Sequence, residues 1–431
     1  MKKTISGIRG IFGDDFDLID VMRYCENFSS LVKSGKCVVG RDTRQSGNMV
    51  LESAKAALMK SGIDVYDLGM VPTPVIFREA RKYGAGVIAT SSHNPADWNG
   101  LKFIINGRGI NKDELKVILE NQDTHKQNIG AEYIAETTYL EEVARTIGNI
   151  GKNPDIIVDA GGGAARDFAP NLLQDLGCSV RIINHSLEEC NRSPDPTSDN
   201  LEELCSLSLK ADIGFAFDLD GDRLVVVKDG KKQSPDMTLA LGIAKSIKLG
   251  CRKFVLSADS SVGIEIFAKE HGCSVQRSSV GEANVIDMML KTKAHAGGEG
   301  SSGGFILADF NHCRDGILTG GLVASMLGEE FDEILKYMKS YQQARIKVDV
   351  NSTYHDDIIE KVSKDMSDEF SDVNDMDGIK GIIDEKSWVL IRKSNTEDVI
   401  RISVESDGVD RCRDLLEKYS GLVNMYHEEI R

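Results

Sequence analysis

Three stretches share one pattern and decide the fold: C-V-V-G-R-D-T-R from Cys37 to Arg44, I-I-V-D-A-G-G-G from Ile156 to Gly163, and F-V-L-S-A-D-S-S from Phe254 to Ser261. In each stretch a short apolar run ends in a polar loop rich in Gly, Asp or Ser, and residues with helical character follow. A strand that leads through a loop into a helix is the first half of a strand–helix–strand unit. The recurrence therefore predicts three related α/β units.

A common ending supports this interpretation. Each helical stretch closes on Gly-x-x-Val, at Gly62 to Val65, Gly177 to Val180 and Gly272 to Val275. Glycine adopts the left-handed conformation that ends a helix, and β-branched valine favours the strand that follows. Because such units form parallel strand pairs with right-handed crossovers, we expect three tandem α/β domains with parallel or mixed sheets.

The last part of the chain has a different pattern. Apolar runs at Ser387–Ile391 and Val399–Val404 flank a polar loop, and Asp410–Tyr419 has the pattern of an amphipathic helix. These features predict a smaller α+β domain, and the acidic segment Asp365–Asp377 is expected to be a solvated loop. The predicted domains comprise residues 1–145, 146–236, 237–342 and 343–431.

Composition excludes some classes of function. The 431 residues include 52 basic and 68 acidic side chains, which gives a net charge of −16. This acidic balance argues against a protein that binds nucleic acid or an anionic membrane. It leaves room for a phosphorylated ligand, which a local group of Arg and Lys can hold.

Compartment and redox state follow from two further patterns. No apolar run behind Lys2 and Lys3 resembles a signal peptide, and no segment approaches the length of a membrane span. The nine cysteines are scattered without a C-x-x-C pair, as expected for small buried side chains in a reducing compartment. We expect a cytoplasmic protein.

The first motif that carries chemistry is T-S-S-H-N-P, Thr90 to Pro95, which follows the strand Gly86–Ala89. Residues just past the carboxyl end of a strand are where α/β sheets build their sites. Pro95 disfavours helical backbone before it, so the loop is predicted to be extended. Ser92 and His93 are the candidate catalytic residues. A hydrolytic triad fits poorly, because neighbouring side chains of an extended loop point apart and no G-x-S-x-G turn is present.

The second motif is D-L-D-G-D-R, between two apolar runs. Its carboxylates, Asp218, Asp220 and Asp222, alternate along a tight turn, where they repel one another unless a cation neutralises them. Oxygen ligands of this kind favour magnesium or calcium. An EF-hand is excluded, because Arg223 stands where its glycine would be and strands flank the turn.

The third motif is the glycine-rich G-G-E-G-S-S-G-G, Gly297 to Gly304. One carboxylate, Glu299, and two hydroxyls, Ser301 and Ser302, lie in a backbone that glycine leaves free to adapt. Carboxylate and hydroxyl groups can hydrogen-bond the hydroxyls of a sugar. The motif is therefore a candidate polyol-binding loop.

The fourth motif is R-K-S-N-T-E-D-V-I-R, Arg392 to Arg401. Arginine binds phosphate through paired hydrogen bonds, and the backbone amides of such a loop can form an anion-binding nest. The candidate phosphate-binding side chains are those of Arg392, Ser394, Asn395, Thr396 and Arg401.

A hydroxyl, a carboxylate triad, a polyol-binding loop and a phosphate-binding loop, one in each predicted domain, resemble the α-D-phosphohexomutase superfamily. This superfamily includes phosphoglucomutase, phosphomannomutase and phosphoglucosamine mutase, and the resemblance spans the whole chain. It implies four domains around a central cleft. Supporting motifs are G-I-R-G at Gly7–Gly10, V-G-R-D-T-R from Val39, N-G-L-K at Asn99–Lys102, V-G-E-A-N-V from Val280 and R-D-G at Arg314–Gly316.

The resemblance also implies roles for these residues. Ser92 is similar to the serine that is phosphorylated in the active enzyme, and its phosphate completes a magnesium site formed by Asp218, Asp220 and Asp222. Arg223 would neutralise the transferring phosphoryl group, while Arg9 and Lys102 would line the reaction centre, Lys102 as a candidate general acid or base. Glu299 with Ser301 or Ser302 would read the sugar, and Arg392, Ser394, Asn395, Thr396 and Arg401 would hold the non-reacting phosphate.

Three loops depart from the family pattern. The sugar loop is similar to the G-E-G-N-G-G variant but reads G-E-G-S-S-G-G here, which leaves open whether Ser301 or Ser302 is the ligand. Leu219 stands in the metal loop where a small residue is usual, but the ligands are kept. Asp398 stands in the phosphate loop where proline is usual, which places a negative charge near the arginines.

The resemblance implies a phosphohexomutase that interconverts hexose 6-phosphate and hexose 1-phosphate through phosphoserine 92 and a hexose 1,6-bisphosphate, which would also act as activator. The two sugar-side loops favour phosphoglucosamine mutase, with phosphomannomutase or phosphoglucomutase as the alternative. A haloacid-dehalogenase-type phosphatase with Asp218 as nucleophile remains open, although Asp222 stands where that family has threonine. So does a non-catalytic phosphosugar-binding protein. We expect a monomer or a homodimer.

Overall fold

The computed structural model describes residues 1–120, 128–394 and 398–431, so Asn395 and Thr396 lie outside the described residues. Four sheets follow one another along the chain, and helices pack on them. No helix in the described part of the chain combines the length and apolar character that a membrane span requires. All nine cysteines fall within these ranges and are free thiols.

The first sheet is mixed and is covered by helices on both faces. Val39 and Val87 belong to one apolar cluster, whereas their neighbours Val38 and Ile88 belong to another, because successive strand residues point to opposite faces. The strands are β1 Lys2–Thr4, β2 Gly7–Ile11, β3 Lys36–Arg41, β4 Asp64–Met70, β5 Ala85–Ala89, β6 Trp98–Ile105, β7 Arg108–Gly109 and β8 Glu132–Ile134, and the helices are α1 Leu18–Ser29, α2 Gly47–Lys60, α3 Thr73–Tyr83 and α4 Lys112–Leu119. The order is β1-β2-β6-β5-β3-β4-β8, with β7 paired to β6.

The second sheet has five strands, numbered along the chain, and their order across the sheet is β10-β9-β11-β12-β13. Its apolar face packs against α5 and α6 in the largest core cluster. The elements are α5 Tyr139–Ile147, β9 Asp155–Asp159, α6 Ala165–Asp175, β10 Ser179–Ile183, α7 Glu202–Ser208, β11 Ile213–Phe217, β12 Leu224–Lys228 and β13 Lys231–Lys232.

The third sheet has the order β15-β14-β16-β17. Helix α8 packs against β16 and β17 and is buried over most of its length. The elements are α8 Pro235–Lys248, β14 Lys253–Ser257, α9 Val262–Glu270, β15 Ser274–Ser278, α10 Glu282–Thr292, β16 Ala296–Glu299, a 3-10 turn at Gly300–Ser302, β17 Gly304–Leu307, α11 Gly316–Ala324 and α12 Glu329–Met338.

The three sheets repeat one arrangement, as the sequence predicts. In each, a central strand (β3, β9 or β14) lies between two parallel neighbours, and an antiparallel strand (β6, β12 or β17) pairs with the second of these. Gly62, Gly177 and Gly272 have φ angles of +77°, +89° and +72°, so each glycine takes the left-handed conformation before its strand.

The register of the repeats also agrees. The valine of each Gly-x-x-Val motif pairs with the second residue of its central strand: Val65 with Cys37, Val180 with Ile156, and Val275 with Phe254. Chance similarity of loop residues does not produce a common register. The fold prediction of three related α/β domains is therefore confirmed.

The fourth sheet is antiparallel throughout, in the order β18-β22-β21-β20-β19. Helices α13 and α14 pack on its apolar face, which confirms the α+β prediction. The elements are β18 Gln342–Asp349, a 3-10 turn at Ser352–Tyr354, α13 His355–Glu369, β19 Asp372–Asn374, β20 Ile379–Asp384, β21 Ser387–Lys393, β22 Val399–Ser406 and α14 Val409–Ile430.

One expectation about this domain is wrong. Residues 365–369 belong to helix α13, and residues 372–374 form strand β19, where a solvated loop was expected. Ile358, Val362 and Met366 recur every four residues and are fully buried, so the acidic segment continues an amphipathic helix. The divisions at residues 145, 236 and 342 stay predictions.

Equivalent loops of the three repeats carry the sequence motifs. The loop between the last parallel strand and the antiparallel strand holds Ser92 after β5, Asp218 after β11 and Glu299 at the end of β16. The fourth motif connects β21 and β22. The fold thus places each motif at the end of a strand.

Candidate active site

The Ser92 loop is a turn, and the prediction of an extended loop is wrong. Ser92 has a φ of +50°, in the left-handed region, and the residue is 1% exposed. Its amide donates to the Thr90 hydroxyl at 2.9 Å. Pro95 restrains only the residue before it, so it does not prevent this turn at Ser92.

Arg44, buried beneath the loop, explains the turn. Its guanidinium donates to the backbone carbonyls of Ser92 at 2.6 Å and Asn94 at 2.7 Å. It also donates to the carbonyls of Pro95 and Trp98. Several carbonyls that converge on one planar donor are held in a curved path. Arg44 therefore fixes the conformation that presents the Ser92 side chain.

The Ser92 hydroxyl meets the second domain. Ser92 Oγ donates to Asp218 Oδ2 at 3.0 Å, although 126 residues separate the two in sequence. Asp218, Asp220 and Asp222 are all fully buried, and their candidate ligand atoms lie within 4.8 Å of one another. The fold thus brings the first two motifs together.

The carboxylate triad has the properties of a site for a divalent metal. Asp220 Oδ1 and Asp222 Oδ1 are buried and have no hydrogen-bond partner among the described residues. Burial, together with the charges of Asp220 and Asp222, raises the pKa of Asp218 well above its usual range. Buried carboxylate oxygens without a donor are suited to a hard cation. The residues present therefore fit a divalent ion with oxygen ligands.

Lys102 faces the same triad from β6. Its Nζ donates to Asp220 Oδ2 at 2.7 Å and to Asp222 Oδ2 at 3.0 Å. Although burial alone would lower the pKa of Lys102, the charges of Asp220 and Asp222 raise it above its ordinary value. In this arrangement Lys102 is a protonated donor, and a role as general base would require these contacts to change.

Arg223 and His93 form a second contact between the first two domains. Arg223 Nη2 donates to His93 Nδ1 at 2.8 Å, so this nitrogen is an acceptor and the ring is neutral. Burial and the charge of Arg223 lower the pKa of His93 well below its usual value. His93 Nδ1 also lies 3.5 Å from Ser92 Oγ. The arrangement places both residues beside the serine.

Asp195 anchors Arg223 from its other side. Its two carboxylate oxygens each lie 3.2 Å from Arg223 Nη1. Burial would raise the pKa of Asp195, but Arg223 outweighs it and lowers the pKa to about 2. Arg223 Nε is buried without a hydrogen-bond partner among the described residues, which leaves a donor near Asp218.

Arg9 lies on the opposite border of the Ser92 loop. Its Nη2 donates to the Ser6 carbonyl at 2.9 Å, and its Nη1 is 3.5 Å from Asn94 Oδ1. Arg9 Nε is a buried donor with no partner among the described residues. Burial lowers the pKa of Arg9, and Asp220 and Asp222 act against this shift. Arg9 therefore belongs to the same electrostatic environment as the triad.

Arg314 joins the metal loop to the glycine-rich loop. Its Nη2 donates to Asp222 Oδ2 at 2.9 Å, and its Nη1 donates to Glu299 Oε2 at 3.0 Å. The Arg314 amide donates to Glu282 Oε1 at 2.7 Å. Although burial opposes its charge, Asp222, Glu282 and Glu299 raise the pKa of Arg314 further. One guanidinium thus fixes the two loops relative to each other.

The hydroxyls of the glycine-rich loop differ in their contacts. Ser302 is buried, and its hydroxyl donates to the Glu299 carbonyl of its own loop at 3.2 Å. Ser301 is partly exposed and hydrogen-bonds the buried carboxylate of Asp259. Glu299 accepts from the Gly281 amide at 2.9 Å, and burial raises its pKa. Ser301 is therefore the better placed of the two serines to face a ligand.

The fourth motif brings two arginines together. Arg392 on β21 pairs directly with Arg401 on β22, so their side chains leave the sheet on the same face. Like charges on opposed strand positions are unfavourable unless an anion or a carboxylate compensates. Asp377 lies 3.9 Å from Arg392 and also accepts from the Val280 amide at 2.9 Å. Ser394 is buried, and its amide donates to the Val399 carbonyl at 3.1 Å.

Comparison with known proteins agrees with this geometry. The chain matches models of phosphoglucomutase/phosphomannomutase domains: alpha/beta/alpha domain I over residues 1–128, domain II over 137–231, domain III over 234–343 and the C-terminal domain over 346–420. It is 33% identical to the phosphoglucosamine mutase of Clostridioides difficile, over 92% of this chain and 91% of that protein. The chain belongs to the phosphohexomutase superfamily.

Further relatives support this assignment. The phosphoglucosamine mutase of Methanococcus maripaludis strain S2 is 32% identical over 93% of this chain and 94% of its own length. The structure of a phosphoglucomutase/phosphomannomutase family protein from Burkholderia thailandensis superposes with a TM-score of 0.84 at 25% identity, over 98% of this chain and 96% of that one. This phosphohexomutase therefore shares both sequence and fold with the family along its whole length.

Several residues of the site have contacts that their motifs alone do not reveal. Arg44 belongs to the V-G-R-D-T-R motif and Arg314 to the R-D-G motif, but nothing local in the sequence indicates that they bind the Ser92 loop and Asp222. Asp195 stands in a Ser/Pro-rich segment with no motif at all. Thr73 donates from its hydroxyl to Asp220 Oδ2 at 2.6 Å across the domain boundary. These contacts are long-range, so only the fold exposes them.

Proposed function

We propose that this phosphohexomutase interconverts glucosamine 6-phosphate and glucosamine 1-phosphate, with Ser92 as phosphoryl carrier and Mg²⁺ in the Asp218–Asp222 loop. The observation that carries the proposal is the 3.0 Å contact between Ser92 Oγ and Asp218 Oδ2. A hydroxyl beside a buried carboxylate triad supports this proposal, because a phosphate on Ser92 would lie next to the metal that Asp218, Asp220 and Asp222 would hold.

Charge is arranged for phosphoryl transfer. When bound, Mg²⁺ neutralises the oxygens of the transferring group as a Lewis acid. Arg223 lies against His93 and within 3.8 Å of Asp218, so its guanidinium faces the same group. Arg9 and Lys102 add positive charge from the first domain. Fixed charges aimed at the place where negative charge develops contribute most of such a rate enhancement.

The sugar-side residues supply orientation. Glu299 would accept hydroxyls of the sugar, Ser301 would add a hydroxyl contact, and Arg392 with Arg401 would bind the phosphate that does not react. Ser302 is the weaker candidate because its side chain is buried, whereas Ser301 is partly exposed. Asn395 and Thr396 remain proposed members of the phosphate loop, as does Ser394. Binding energy from the remote phosphate then positions the reacting end.

The cycle requires two orientations of one sugar. Phosphoserine 92 gives its phosphoryl group to a hexose monophosphate, and the serine oxygen takes the leaving position. The resulting hexose 1,6-bisphosphate turns over so that its other phosphate faces Ser92, which accepts it and leaves the isomeric monophosphate. Hexose 1,6-bisphosphate supplied from outside would recharge a dephosphorylated enzyme, which is why we propose it as activator.

The amino sugar is favoured by the relatives. The curated proteins described above are named phosphoglucosamine mutases and align over more than nine-tenths of the chain. Phosphomannomutase and phosphoglucomutase remain the alternatives. The proposal retains four domains divided near residues 145, 236 and 342, a cytoplasmic location, and a monomer or homodimer.

Substrate choice is tested by a coupled assay. Glucosamine, mannose and glucose phosphates are compared side by side with glucose 1,6-bisphosphate as activator. We expect the highest specificity constant for glucosamine phosphate. A tenfold preference for mannose or glucose phosphate would refute the amino-sugar assignment and leave the mutase chemistry intact.

The carrier is tested by peptide mapping. The enzyme is incubated with glucose 1,6-bisphosphate, digested and examined by mass spectrometry, with a parallel sample treated with hydroxylamine. A phosphate ester on the Ser92 peptide survives hydroxylamine, whereas an acyl phosphate on Asp218 does not. We expect the stable ester. Ser91→Ala is the matched control for Ser92→Ala, because the two serines are neighbours in one loop. Only Ser92→Ala should lose the phosphate and mutase turnover.

A further inference from the structure

A cavity outside the candidate active site lies between the first two domains, at the carboxyl ends of strands β3 and β4. Its volume is about 280 Å³. None of the residues placed in the phosphoserine, metal, sugar or phosphate loops lines it. The lining residues are Arg41, Thr43, Arg44, Gln45, Asn48 and Met70 from the first domain and Arg166, Leu187 and Glu188 from the second.

The lining includes two arginines and a hydroxyl whose hydrogen-bonding capacity is only partly satisfied by other residues of the described chain. Arg41 donates from Nη1 to the backbone carbonyl of Asp42 at 2.9 Å and forms no ion pair among the described residues. Arg166 Nε is buried without a hydrogen-bond partner there, although Asp167 Oδ2 lies 3.5 Å away. The hydroxyl oxygen of Thr43 is also buried without a partner in the described part of the chain. Buried donors of this kind normally have an acceptor.

Two helix starts add to the positive character of the cavity. Helix α2 begins at Gly47, and its N-cap residue Ser46 makes no capping hydrogen bond, because its hydroxyl accepts from Asn99 Nδ2 at 2.8 Å. Helix α6 begins at Ala165, next to Arg166, and also lacks a side-chain cap. The helix dipole favours an anion at such ends, although the Gly47 amide already donates to the Arg44 carbonyl at 2.8 Å and the Arg166 amide to the Gly163 carbonyl at 3.3 Å.

Glu188 gives the cavity a second chemical character. It is an exposed carboxylate of the second-domain loop, and it lines the cavity together with Arg166 of the same domain. A carboxylate accepts hydrogen bonds from hydroxyl or amino groups and would repel a bare anion placed next to it. A ligand that satisfies the whole lining carries both an oxyanion and hydrogen-bond donors.

We propose that this cavity binds a small phosphorylated metabolite at a site separate from Ser92. Its phosphate contacts Arg41, Arg166 and the Thr43 hydroxyl, and its hydroxyl-bearing part faces Glu188. Ligand pockets for drug-sized molecules occupy roughly 300–1,000 Å³, so a cavity of about 280 Å³ is suited to a phosphosugar and not to a dinucleotide.

Equilibrium dialysis with radiolabelled glucose 6-phosphate tests the proposal. The full chain carries Ser92→Ala, so that the ligand is not turned over. Into this protein we introduce Arg166→Gln, or Arg41→Gln as an independent second variant. Arg181→Gln is the matched control, because Arg181 is an exposed arginine of the same domain on β10. Far-UV circular dichroism checks that each protein is folded.

We expect the affinity of the cavity for glucose 6-phosphate to fall at least about tenfold in the Arg166→Gln and Arg41→Gln proteins. Each of them should therefore bind one equivalent fewer than the Arg181→Gln control. Equal stoichiometry and affinity in all three folded proteins would overturn the proposal. So would displacement of this equivalent by unphosphorylated glucose at the same concentration as glucose 6-phosphate.

Competition with inorganic phosphate identifies the source of the ligand's charge. Tenfold weaker competition by inorganic phosphate than by glucose 6-phosphate supports a phosphosugar that uses Glu188 as well as the arginines. Equal competition supports free phosphate as the occupant, and that result overturns the part of the proposal that concerns Glu188.

Discussion

Asp42 and Arg44 form an ion pair whose two side chains are completely shielded from solvent, with 3.1 Å between Asp42 Oδ2 and Arg44 Nε. The same carboxylate accepts the Thr90 hydroxyl at 2.6 Å. Since Arg44 binds the carbonyls of the Ser92 loop, the pair connects the end of β3 to the conformation of that loop. We infer that the pair positions Ser92, because Arg44 contacts the backbone carbonyl of Ser92 and not its hydroxyl.

Arg44→Lys tests this positioning role. Lysine keeps the charge but cannot donate in several fixed directions at once. We expect kcat to fall about 100-fold, as for a reacting group displaced by about 1 Å, with KM changed less than threefold. The free energy of unfolding, measured with urea, should fall by about 3 kcal/mol because a buried pair is disturbed. Arg23→Lys, at an exposed site of the same domain, should leave both quantities unchanged; an unchanged kcat in Arg44→Lys would remove Arg44 from this role.

Asp220→Asn tests the metal loop. The substitution removes one of three clustered charges and one buried oxygen that lacks a donor. We expect Mg²⁺ affinity, measured by calorimetric titration, to fall by about 100-fold or more, beyond the loss typical of residues that only support a ligand. Asp229→Asn, an exposed acid of the same domain, is the control. Identical Mg²⁺ titrations of parent and variant would show that the loop is not the metal site.

Arg392→Ala tests the phosphate loop. Loss of a charge-assisted contact to a shielded phosphate costs about 2–5 kcal/mol, so kcat/KM should fall about 30-fold to several thousand-fold. Thermal stability without substrate should change little, because the alanine also relieves the opposition of Arg392 and Arg401. Arg411→Ala, at an exposed salt bridge of the same domain, is the comparison. A variant with the kcat/KM of that control would exclude Arg392 from substrate binding.

Lys380 gives a pH dependence of stability. Its Nζ lies 3.9 Å from the centroid of the Trp388 ring and donates to the Ala258 carbonyl at 2.6 Å. Burial, with help from Arg277, lowers the pKa of Lys380 from 10.5 to about 7. The unfolded chain therefore binds more protons than the folded one between pH 7 and pH 10.5, and stability rises with pH in that window.

Lys380→Met removes this contribution. The difference in free energy of unfolding between the parent protein and the variant should increase from pH 7 to pH 10 in favour of the parent, with a slope that approaches about 1.4 kcal/mol per pH unit. Urea titrations at a series of pH values measure it. A difference that is flat across the window would contradict the lowered pKa. Lys386→Met, an exposed lysine of the same sheet region, should show no slope.

Local sequence was sufficient where local spacing makes the structure. The Gly-x-x-Val endings placed the helix stops and the strand register, because a left-handed glycine and the following strand are neighbours in sequence. Asp218, Asp220 and Asp222 likewise lie close together because they are two positions apart in one tight turn. Both predictions depend on residues a few positions apart.

Predictions failed where distant residues decide the backbone. The Ser92 turn depends on Arg44, which lies 48 positions earlier in the chain, and an extended loop was expected because only Pro95 was considered. The partners of Arg223 and Arg314 come from other domains or other loops. The segment Asp365–Asp377 was predicted to be a loop from its acidic residues alone, but Met366 continues the four-residue period that Ile358 and Val362 begin before it, and all three face the core.

The three repeated hairpin turns have a consequence for how such an enzyme can change. Each turn connects two paired strands of its own sheet, so a change within one turn leaves the strand pairing of the other two sheets as it is. Exchange of residues 300–303 between relatives would leave β16 and β17 paired as they are, since their pairing ends at Glu299 and Gly304. If the glycine-rich loop reads the sugar as we propose, selectivity for one hexose over another is expected to change when this four-residue turn is transplanted, while the Ser92 and Asp218–Asp222 loops stay in place.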